Sequence, residues 1–260
     1  MSFDWLTTET LQLLLQGLAL TLVLTAITSP LALAIGVAIG ALRLSKRRGL
    51  RCLAAAYVDV LRNIPALVLI ILWAFALPNL FPVEMRRVMF FDNWLMEHLQ
   101  IWSGLSVPYY TLAAALALTL NTSAYLAELF RAGVGTIAQE HIDTARSLGA
   151  LQRVVFARIL VPQGLRAVFP AISTRLIHNM KNTALAAFVS TPEFFHSTQT
   201  AISRSFRAVE FLLLAAAVYL SLSLLLTLLL RWIEGRMERR PSASRIGSGA
   251  LPPPSVTMDA

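Results

Sequence analysis

The chain has little charge and only one cysteine. Charged residues make up 14% of its 260 residues and hydrophobic residues 57%, with a mean hydropathy of +0.66, whereas about 25% of the residues in a soluble domain are charged. This shortage of charge excludes an ordinary soluble protein and predicts an integral membrane protein. The single Cys52 excludes an internal disulfide and provides no metal site, so we interpret it as a small apolar packing residue.

Basic residues are missing from the first 42 positions, where Asp4 and Glu9 are acidic. A cleavable signal peptide requires a basic N-terminal region and a small-residue cleavage site. We therefore expect the first apolar run to be retained as a membrane span with its N-terminus outside. The net charge of +8 is expected to report orientation in the bilayer, and no nucleic-acid partner is predicted.

Motifs for nucleotide, metal and catalytic sites are also missing. No Gly-x4-Gly-Lys-Ser/Thr pattern occurs, so if ATP drives this protein, another chain must bind it. The four histidines are scattered and have no metal-ligand spacing. No nucleophile and base stand together, so we predict that this chain has no catalytic residue, no metal and no bound cofactor.

Long apolar runs dominate the sequence, and each is long enough to cross a bilayer core of about 30 Å. They predict an all-α polytopic membrane protein with about five transmembrane helices, within a transmembrane domain at residues 1–240. The predicted spans are about residues 14–42, 53–77, 108–132, 168–191 and 211–230. We expect the Pro- and Ser-rich tail at 241–260 to be disordered and cytoplasmic.

Several residues within the runs predict local geometry. Pro30 is expected to kink the first span, and Gly36 and Gly40 form a small-xxx-small pattern that favours packing within the chain. Pro65 leaves the carbonyl of Leu61 without its helical donor, so a bend is expected there. We interpret residues 78–107 as irregular, with an interfacial piece around Trp94, Met96 and Trp102.

The distribution of basic residues predicts the orientation. With the N-terminus outside and five spans, fifteen Lys and Arg residues lie in cytoplasmic segments and four in external segments. This excess agrees with the positive-inside rule and predicts a cytoplasmic C-terminus.

Residues 133–165 form a polar, basic segment that is expected to lie in the cytoplasm. We predict a short helix at 140–148 that has Ile142, Ala145 and Leu148 on one face and Asp143 in its first turn. Gly149 is expected to end this helix in a left-handed conformation. A second helix at 151–160 is expected to lie along the membrane until Pro162 redirects the chain.

The same segment resembles the EAA signature of ABC-importer permeases. Gly149, Ile159 and Pro162 have the family spacing, although Asp143-Thr144-Ala145 replaces Glu-Ala-Ala. Four further motifs resemble the polar amino acid uptake branch of this family. They are residues 57–65 (YVDVLRNIP), 121–131 (NTSAYLAELFR), 160–166 (LVPQGLR) and 181–185 (KNTAL).

This resemblance implies a type I ABC-importer permease in the bacterial inner membrane, which is not itself an enzyme. It implies a cytoplasmic ATPase dimer that binds the ATP, a second permease subunit that is identical or different, and a periplasmic solute-binding protein that delivers an L-amino acid. The loop at 133–165 would supply the coupling helix. The residues expected to couple to the ATPase are Asp143, Ala145, Leu148, Gly149, Ile159 and Pro162.

Ionisable groups within the spans predict two kinds of site. Glu128 with Arg131, and Asp59 with Arg62, are three residues apart, as expected of pairs that fix a helix end or a gate. Polar residues expected near the middle of the bilayer predict a substrate cavity. One of them is Lys181, which shares a helix face with Arg175 and His178. The predicted substrate-binding residues are Asn121, Thr122, Tyr125, Lys181, Asn182 and Thr183.

If the chain turns outside the membrane at Pro192, Lys181 is expected near the middle of the bilayer. Its ammonium group would suit a carboxylate of the substrate. The alternative is that these groups serve packing. Members of the family often have Asp where this chain has Asn182, so we expect acidic or neutral polar substrates rather than cationic ones. A second hypothesis assigns substrate choice to the binding protein or to a paired permease.

Two other functions compete with an ABC permease. An ion-coupled secondary amino acid transporter would need carboxylates at mid-depth, whereas Asp59 and Glu128 are expected near the inner face. A membrane scaffold or lipid-modifying enzyme would need a catalytic or metal site that the sequence does not indicate.

Overall fold

The computed structural model describes residues 7–91, 98, 101 and 108–238, and the described part of the chain contains helices and no strand. The α-helices in chain order are α1 (Thr8–Arg43), α2 (Arg48–Asn63), α3 (Ala66–Ile71), α4 (Val83–Arg86), α5 (Tyr109–Gly135), α6 (Gln139–Ser147), α7 (Gln152–Val155), α8 (Val161–Ala167), α9 (Phe169–Asn182), α10 (Phe194–Ser205) and α11 (Ala208–Glu238). Turns of π-helix occur at Leu72–Ala76, Arg87–Phe91 and Phe156–Leu160, and 3-10 turns at Pro78–Leu80 and Thr183–Val189.

Three helices, α1, α5 and α11, are long and apolar enough to cross a membrane singly. Two further spans are bent pairs of helices, so the described chain has up to five spans, in agreement with the prediction. The second span breaks by 104° between Asn63 and Ala66, and the fourth by 67° between Ala167 and Phe169. The predicted spans at 53–77 and 168–191 are therefore not single straight helices.

Helix α1 runs through Pro30 without a break and begins at Thr7, whose hydroxyl accepts a hydrogen bond from the backbone N–H of Thr10. Its small residues pack against α5. A Cβ on Gly36 would lie 2.7 Å from Leu126 Cβ, and a Cβ on Gly40 would lie 2.8 Å from the carbonyl oxygen of Ala127. The small-xxx-small pattern therefore serves packing within the chain, as predicted.

The bend predicted at Pro65 is confirmed, and side chains of α5 complete it. Because Pro65 has no N–H, the carbonyl of Leu61 lacks a helical donor, and the Asn121 amide donates to it at 2.9 Å instead. The neighbouring carbonyl of Arg62 accepts a hydrogen bond from the Tyr125 hydroxyl at 3.1 Å. Two polar side chains in the middle of α5 thus stabilise the break in the second span.

Residues 78–91 differ from the irregular structure that was predicted for them. They form short helical turns, including α4, and the Asn79 amide donates to the carbonyl of Phe75 at 2.8 Å. The N–H groups of Leu80 and Phe81 donate to the carbonyls of Leu77 and Pro78, each at 3.1 Å, as in a short 3-10 turn. The predicted interfacial residues Trp94, Met96 and Trp102, and the predicted tail at 241–260, lie outside the described residues.

Helix α6 ends as its glycine predicts. Gly149 has φ +80, its N–H donates to the carbonyl of Arg146 at 2.9 Å, and the N–H of Ala150 donates to the carbonyl of Ala145 at 3.0 Å. These two bonds form a Schellman motif. The helix begins at Gln139, so Glu140 and not Asp143 occupies its first turn, contrary to the prediction.

The prediction that Pro162 redirects the chain is wrong. Helix α7, a π-helical turn and α8 run on from Gln152 to Ala167, and Pro162 lies in the first turn of α8. Pro162 lies just after the π-helical turn at Phe156–Leu160, and this change of helical pattern lets the stretch continue past a residue that has no N–H to donate. The bend comes at Val168, two residues before Pro170, which cannot donate to the carbonyl of Arg166.

A buried carboxylate connects α10 to the rest of the bundle. Glu193 is 0% exposed and accepts hydrogen bonds from the backbone N–H groups of Phe195 and His196 at 3.0 and 2.8 Å, which caps α10. It also accepts from the hydroxyls of Thr21 in α1, at 3.3 Å, and Tyr219 in α11, at 2.9 Å. Four donors to one carboxylate therefore join three helices.

Candidate functional site

A buried group of polar side chains joins α1, α5 and α9. Asn179 of α9 accepts a hydrogen bond from Thr122 at 2.8 Å and donates to Thr28 at 2.8 Å and to Ser29 at 3.2 Å. Asn179 is 0% exposed and Asn121 3%. We call this group the polar layer; it consists of Thr28, Ser29, Asn121, Thr122 and Asn179.

The polar layer lies near the middle of the bundle. Thr28 is 20 residues from the first residue of α1 and 15 from the last, which is about 30 Å and about 22 Å along a helix axis. The fourth span ends at Val189, and Ser190, which has φ 57, turns the chain close to the predicted turn at Pro192; a separate helix, α10, then runs from Phe194 to Ser205. The Asn179–Thr28 contact independently places this part of α9 near the middle of the bundle.

One helical turn further along α5, two arginines lie against one aromatic ring. The guanidinium carbon of Arg175 is 3.7 Å from the centroid of Tyr125, and that of Arg62 is 5.2 Å from it, so both are within cation–π range. Arg175 also donates through Nη2 to the Asn121 side-chain oxygen at 2.6 Å. We call Arg62, Tyr125 and Arg175 the tyrosine layer.

One further turn along α5, Glu128 binds arginines from three helices. It forms ion pairs with Arg43 of α1 and with Arg131 of α5, whose Nε lies 3.1 Å from Oε1, and Arg62 of α2 lies 3.9 Å from Oε2. The predicted pair of Glu128 and Arg131 is thus confirmed as part of a larger group. We call these four residues the Glu128 cluster.

The predicted pair of Asp59 and Arg62 is not formed. Asp59 is exposed, and within the described ranges no ion pair joins it to Arg62, which turns toward Glu128 and Tyr125. The physical reason is the break at Pro65, which holds the end of α2 against α5, where a half-buried carboxylate and an aromatic face attract the guanidinium group.

The predicted substrate residues differ in burial, from buried through half-buried to exposed. Asn121, Thr122 and Thr183 are buried, and the Thr183 hydroxyl donates to the carbonyl of Met180 at 2.7 Å. Tyr125 and Asn182 are half-buried, and Lys181 is exposed. On the face of α9 that carries Arg175 and His178, Arg175 reaches Asn121 whereas His178 and Lys181 are exposed.

Sequence reasoning missed four polar partners. Asn179 lies at the centre of the polar layer, Arg43 binds Glu128, and Tyr57 is 2.7 Å from Ser123 through their hydroxyl oxygens. The buried Glu193 was also missed, although an acidic residue directly after Pro192 and before an apolar helix indicates a carboxylate cap.

The segment predicted to couple to another protein presents an open surface. Helix α6 has no buried residue. On its predicted face, Ile142 and Ala145 are half-buried and Leu148 is 84% exposed. Asp143 is exposed and accepts a hydrogen bond from Gln139 at 3.0 Å, while Ile159 and Pro162 are half-buried in the next helical stretch.

The described residues contain no group of three His, Cys, Asp or Glu side chains arranged to hold a metal ion. The polar groups of the site are guanidinium ions, amides, hydroxyls and the Glu128 carboxylate. Guanidinium ions, amides and hydroxyls donate hydrogen bonds to anions and to polar molecules.

Comparison with known proteins identifies similar membrane proteins. The sequence profile of the family described as "Binding-protein-dependent transport system inner membrane component" matches residues 11–239. The chain is 32% identical over 231 residues to the probable glutamine ABC transporter permease protein GlnP of Bacillus subtilis, covering 88% of this chain and 95% of that protein.

Two further similarities extend over most of the chain. It is 30% identical over 237 residues to the glutamate/aspartate import permease protein GltK of Escherichia coli O6:H1, covering 90% of this chain and 98% of that protein. A crystal structure of an amino acid ABC transporter with histidines superposes with a TM-score of 0.70 at 25% identity, covering 91% of this chain and 100% of that chain.

Proposed function

The chain belongs to the family of binding-protein-dependent transport system inner membrane components, and we propose that it is the permease subunit of an ATP-driven importer of polar L-amino acids. The match over residues 11–239 carries this proposal. As a transport component of this family, the chain is not itself an enzyme. Membership of the family also decides against an ion-coupled secondary transporter and against a membrane enzyme.

The surface of α6 supports the proposal that an ATPase docks on this chain. An exposed leucine and a small alanine on one face, ended by a Schellman motif, form a short rigid helix that fits a groove on a soluble protein. The residues proposed to transmit ATPase closure are Asp143, Ala145, Leu148, Gly149, Ile159 and Pro162. The proposed assembly also contains a second permease subunit and a periplasmic binding protein.

Membrane orientation is a further part of the proposal. We propose that α6 and the C-terminus face the cytoplasm and that the N-terminus faces the periplasm, because fifteen basic residues then lie inside and four outside. Helix α6 would then be on the side where ATP is available.

For the substrate, we propose acidic or neutral polar amino acids. Asn182 adds no negative charge to α9, and the tyrosine layer adds two cations beside the polar layer. A field of this sign attracts carboxylates and repels cationic side chains. The substrates named for GlnP and GltK agree with this proposal, whereas the superposed crystal structure contains histidines, so histidine belongs in the test.

Reconstitution of the whole transporter tests the function. The chain is co-expressed with candidate ATPase, permease and binding-protein subunits, and the purified complex is placed in proteoliposomes with ATP inside and the binding protein outside. We expect ATP-dependent uptake of labelled glutamate or glutamine to exceed that of arginine and histidine at least tenfold. Arginine uptake equal to that of glutamate contradicts the substrate class, and reproducible absence of an ATPase from the purified complex contradicts the function itself.

The second hypothesis, that the binding protein or a paired permease alone selects the substrate, predicts a different result. If the membrane path is only permissive, replacing the exposed Lys181 by Ala leaves uptake rates and substrate order unchanged. If Lys181 contacts the substrate, Lys181→Ala lowers uptake severalfold, whereas Lys46→Ala, which removes a lysine from the loop after α1, does not.

A further inference from the structure

The tyrosine layer contains more positive charge than the carboxylates of the described residues neutralise within ion-pair distance. Glu128 is the one carboxylate within ion-pair distance of Arg62 in the described ranges, at 3.9 Å, and it also binds Arg43 and Arg131. Arg175 has no ion pair with any described carboxylate. Since Arg62 and Arg175 lie against the same ring, at most about 9 Å separates their guanidinium carbons, and they repel each other.

The two guanidinium groups also have unused hydrogen-bond donors. The Nε–H groups of Arg62 and Arg175 are buried and have no acceptor among the described residues. Arg175 uses Nη2 for Asn121 and Thr122, and its Nη1 has no described acceptor. A half-buried cation with unpaired donors is costly in a membrane protein, and such residues by default mark a ligand site.

The arrangement holds Arg175 ready for a ligand. The Asn121 amide donates to the carbonyl of Leu61 and its oxygen accepts from Arg175, so the break at Pro65 fixes the amide and the amide orients the guanidinium group. The ring of Tyr125 covers one face of that group at 3.7 Å. Arg175 is only half-buried, so a small molecule can reach it.

We propose that Arg175, assisted by Arg62, binds a carboxylate of the transported amino acid, and that Asn121 and Tyr125 position Arg175. A carboxylate is the substrate group that accepts several hydrogen bonds while neutralising a guanidinium ion, and it pairs with the planar fork in two places. This assignment rests on the proposed function and moves the anion site from Lys181 to Arg175. Lys181 is a mobile point charge, whereas Arg175 is held in place.

Analogues that lack one carboxylate test the assignment. Binding of L-glutamate, L-glutamine (side-chain amide) and L-isoglutamine (α-amide) is measured calorimetrically on the permease–ATPase complex, without the binding protein, in nanodiscs of zwitterionic lipid. In the wild type, we expect one of the two amides to bind at least tenfold more weakly than glutamate. In Arg175→Gln, the affinity for glutamate is expected to fall to the affinity of the more weakly bound amide. Arg175→Lys is expected to retain part of the preference for glutamate over that amide.

A purely structural role of Arg175 gives a different pattern. In that case Arg175→Gln weakens the binding of all three ligands equally, and the ratio of their affinities stays at the wild-type value. This result overturns the assignment. Loss of the preference in Lys181→Gln but not in Arg175→Gln overturns it as well. The control Arg231→Gln, at the exposed inner end of α11, is expected to keep the wild-type ratio.

A measurement on the wild type covers the case in which the variants do not fold. Phenylglyoxal modification of Arg175, followed by mass spectrometry of the digested protein, is expected to slow at least fivefold with saturating glutamate and not with the weakly binding amide. Equal modification with and without glutamate overturns the assignment. If the wild-type complex transports none of the three compounds, the proposed function fails; if it transports them and the affinity ratio survives in Arg175→Gln, this assignment alone fails.

Discussion

At the scale of single residues, the polar side chains of α5 serve the backbone of a neighbouring helix. Asn121 and Tyr125 donate to the carbonyls of Leu61 and Arg62, next to the break at Pro65. A carbonyl without a donor inside a membrane costs several kcal/mol, so the break depends on these two side chains. The same contacts bring Arg62 to the ring of Tyr125, which connects the broken span to the proposed binding site.

The Glu128 cluster leads to a prediction at this scale. In Glu128→Gln, Arg43 and Arg131 lose the carboxylate that binds them, and three guanidinium groups repel one another with less compensation. Because Glu128 is 24% exposed and Arg131 45%, water screens part of this effect, and we expect a loss of roughly 1–2 kcal/mol of stability. Thermal unfolding of the detergent-solubilised protein measures it.

Asp59→Asn is the matched control, because it also removes one carboxylate charge. Asp59 lies in α2, is exposed and has no ion pair among the described residues. It is expected to change stability by less than about 0.5 kcal/mol. Equal effects of the two substitutions would show that the Glu128 cluster contributes nothing specific.

At the scale of helices, close backbone contacts decide how the spans meet. Gly36 and Gly40 bring α1 against α5, and Gly133 brings α5 against Gly164 of α8. The last contact joins the end of a span to the helical stretch that leads from α6 into the membrane. Movement of α6 would therefore be transmitted to α5 through backbone atoms rather than through flexible side chains.

Gly133→Ala is predicted to break this contact. The added Cβ would collide with the carbonyl oxygen of Gly164, which cannot turn away as a side chain does. We expect a loss of about 1–3 kcal/mol, seen as a lower unfolding midpoint and reduced ATP-dependent uptake in the reconstituted complex. In the control Gly135→Ala, two residues later in α5, the Cβ meets nothing within 4 Å, and unchanged or slightly raised stability is expected. Wild-type behaviour of Gly133→Ala would refute the close contact.

At the scale of the whole molecule, two of the described helices, α6 and the four-residue α4, have no buried residue. Helix α6 lies between α5 and the bent fourth span and has no buried residue, whereas α1, α5 and α9 share a buried polar layer. A rigid, exposed helix linked to two spans suits a subunit that receives motion from a soluble partner. The buried Glu193 and its donors in α1 and α11 hold the opposite part of the bundle together.

A charge on the open face of α6 tests this organisation. Leu148→Asp places a carboxylate where an apolar side chain is 84% exposed, so the permease is expected to fold normally but to lose its ATPase partner. We expect the amount of co-purified ATPase to fall at least tenfold, a penalty of about 1.4 kcal/mol or more in binding. The control Leu80→Asp alters a leucine that is 78% exposed in the 3-10 turn at the end of the second span, and its ATPase yield should match the wild type. Retention of the ATPase by Leu148→Asp would exclude this face as the docking surface.

Much of this organisation could be predicted from the sequence because it is local. The apolar runs predict about five spans, Pro65 predicts the bend, and Gly149 predicts the end of α6, since each effect depends on a few adjacent residues. The wrong prediction at Pro162 also concerns local structure. Pro162 was expected to break a helix that in fact breaks at Val168, because the π-helical turn just before Pro162 accommodates the missing N–H.

The sequence by itself therefore determined the membrane class and the family, predicted about five spans, of which the described chain has up to five, and led to the proposal of a docking segment. Only the tertiary structure decided that Arg43 and not Asp59 joins the charged pairs, that Asn179 and not Lys181 meets Thr122, and that Glu193 is buried. The partners in these contacts are far apart in the chain: 85 residues separate Arg43 from Glu128, and 172 separate Thr21 from Glu193. Periodicity along one helix shows which residues share a face, but packing of the bent spans determines which neighbour that face meets.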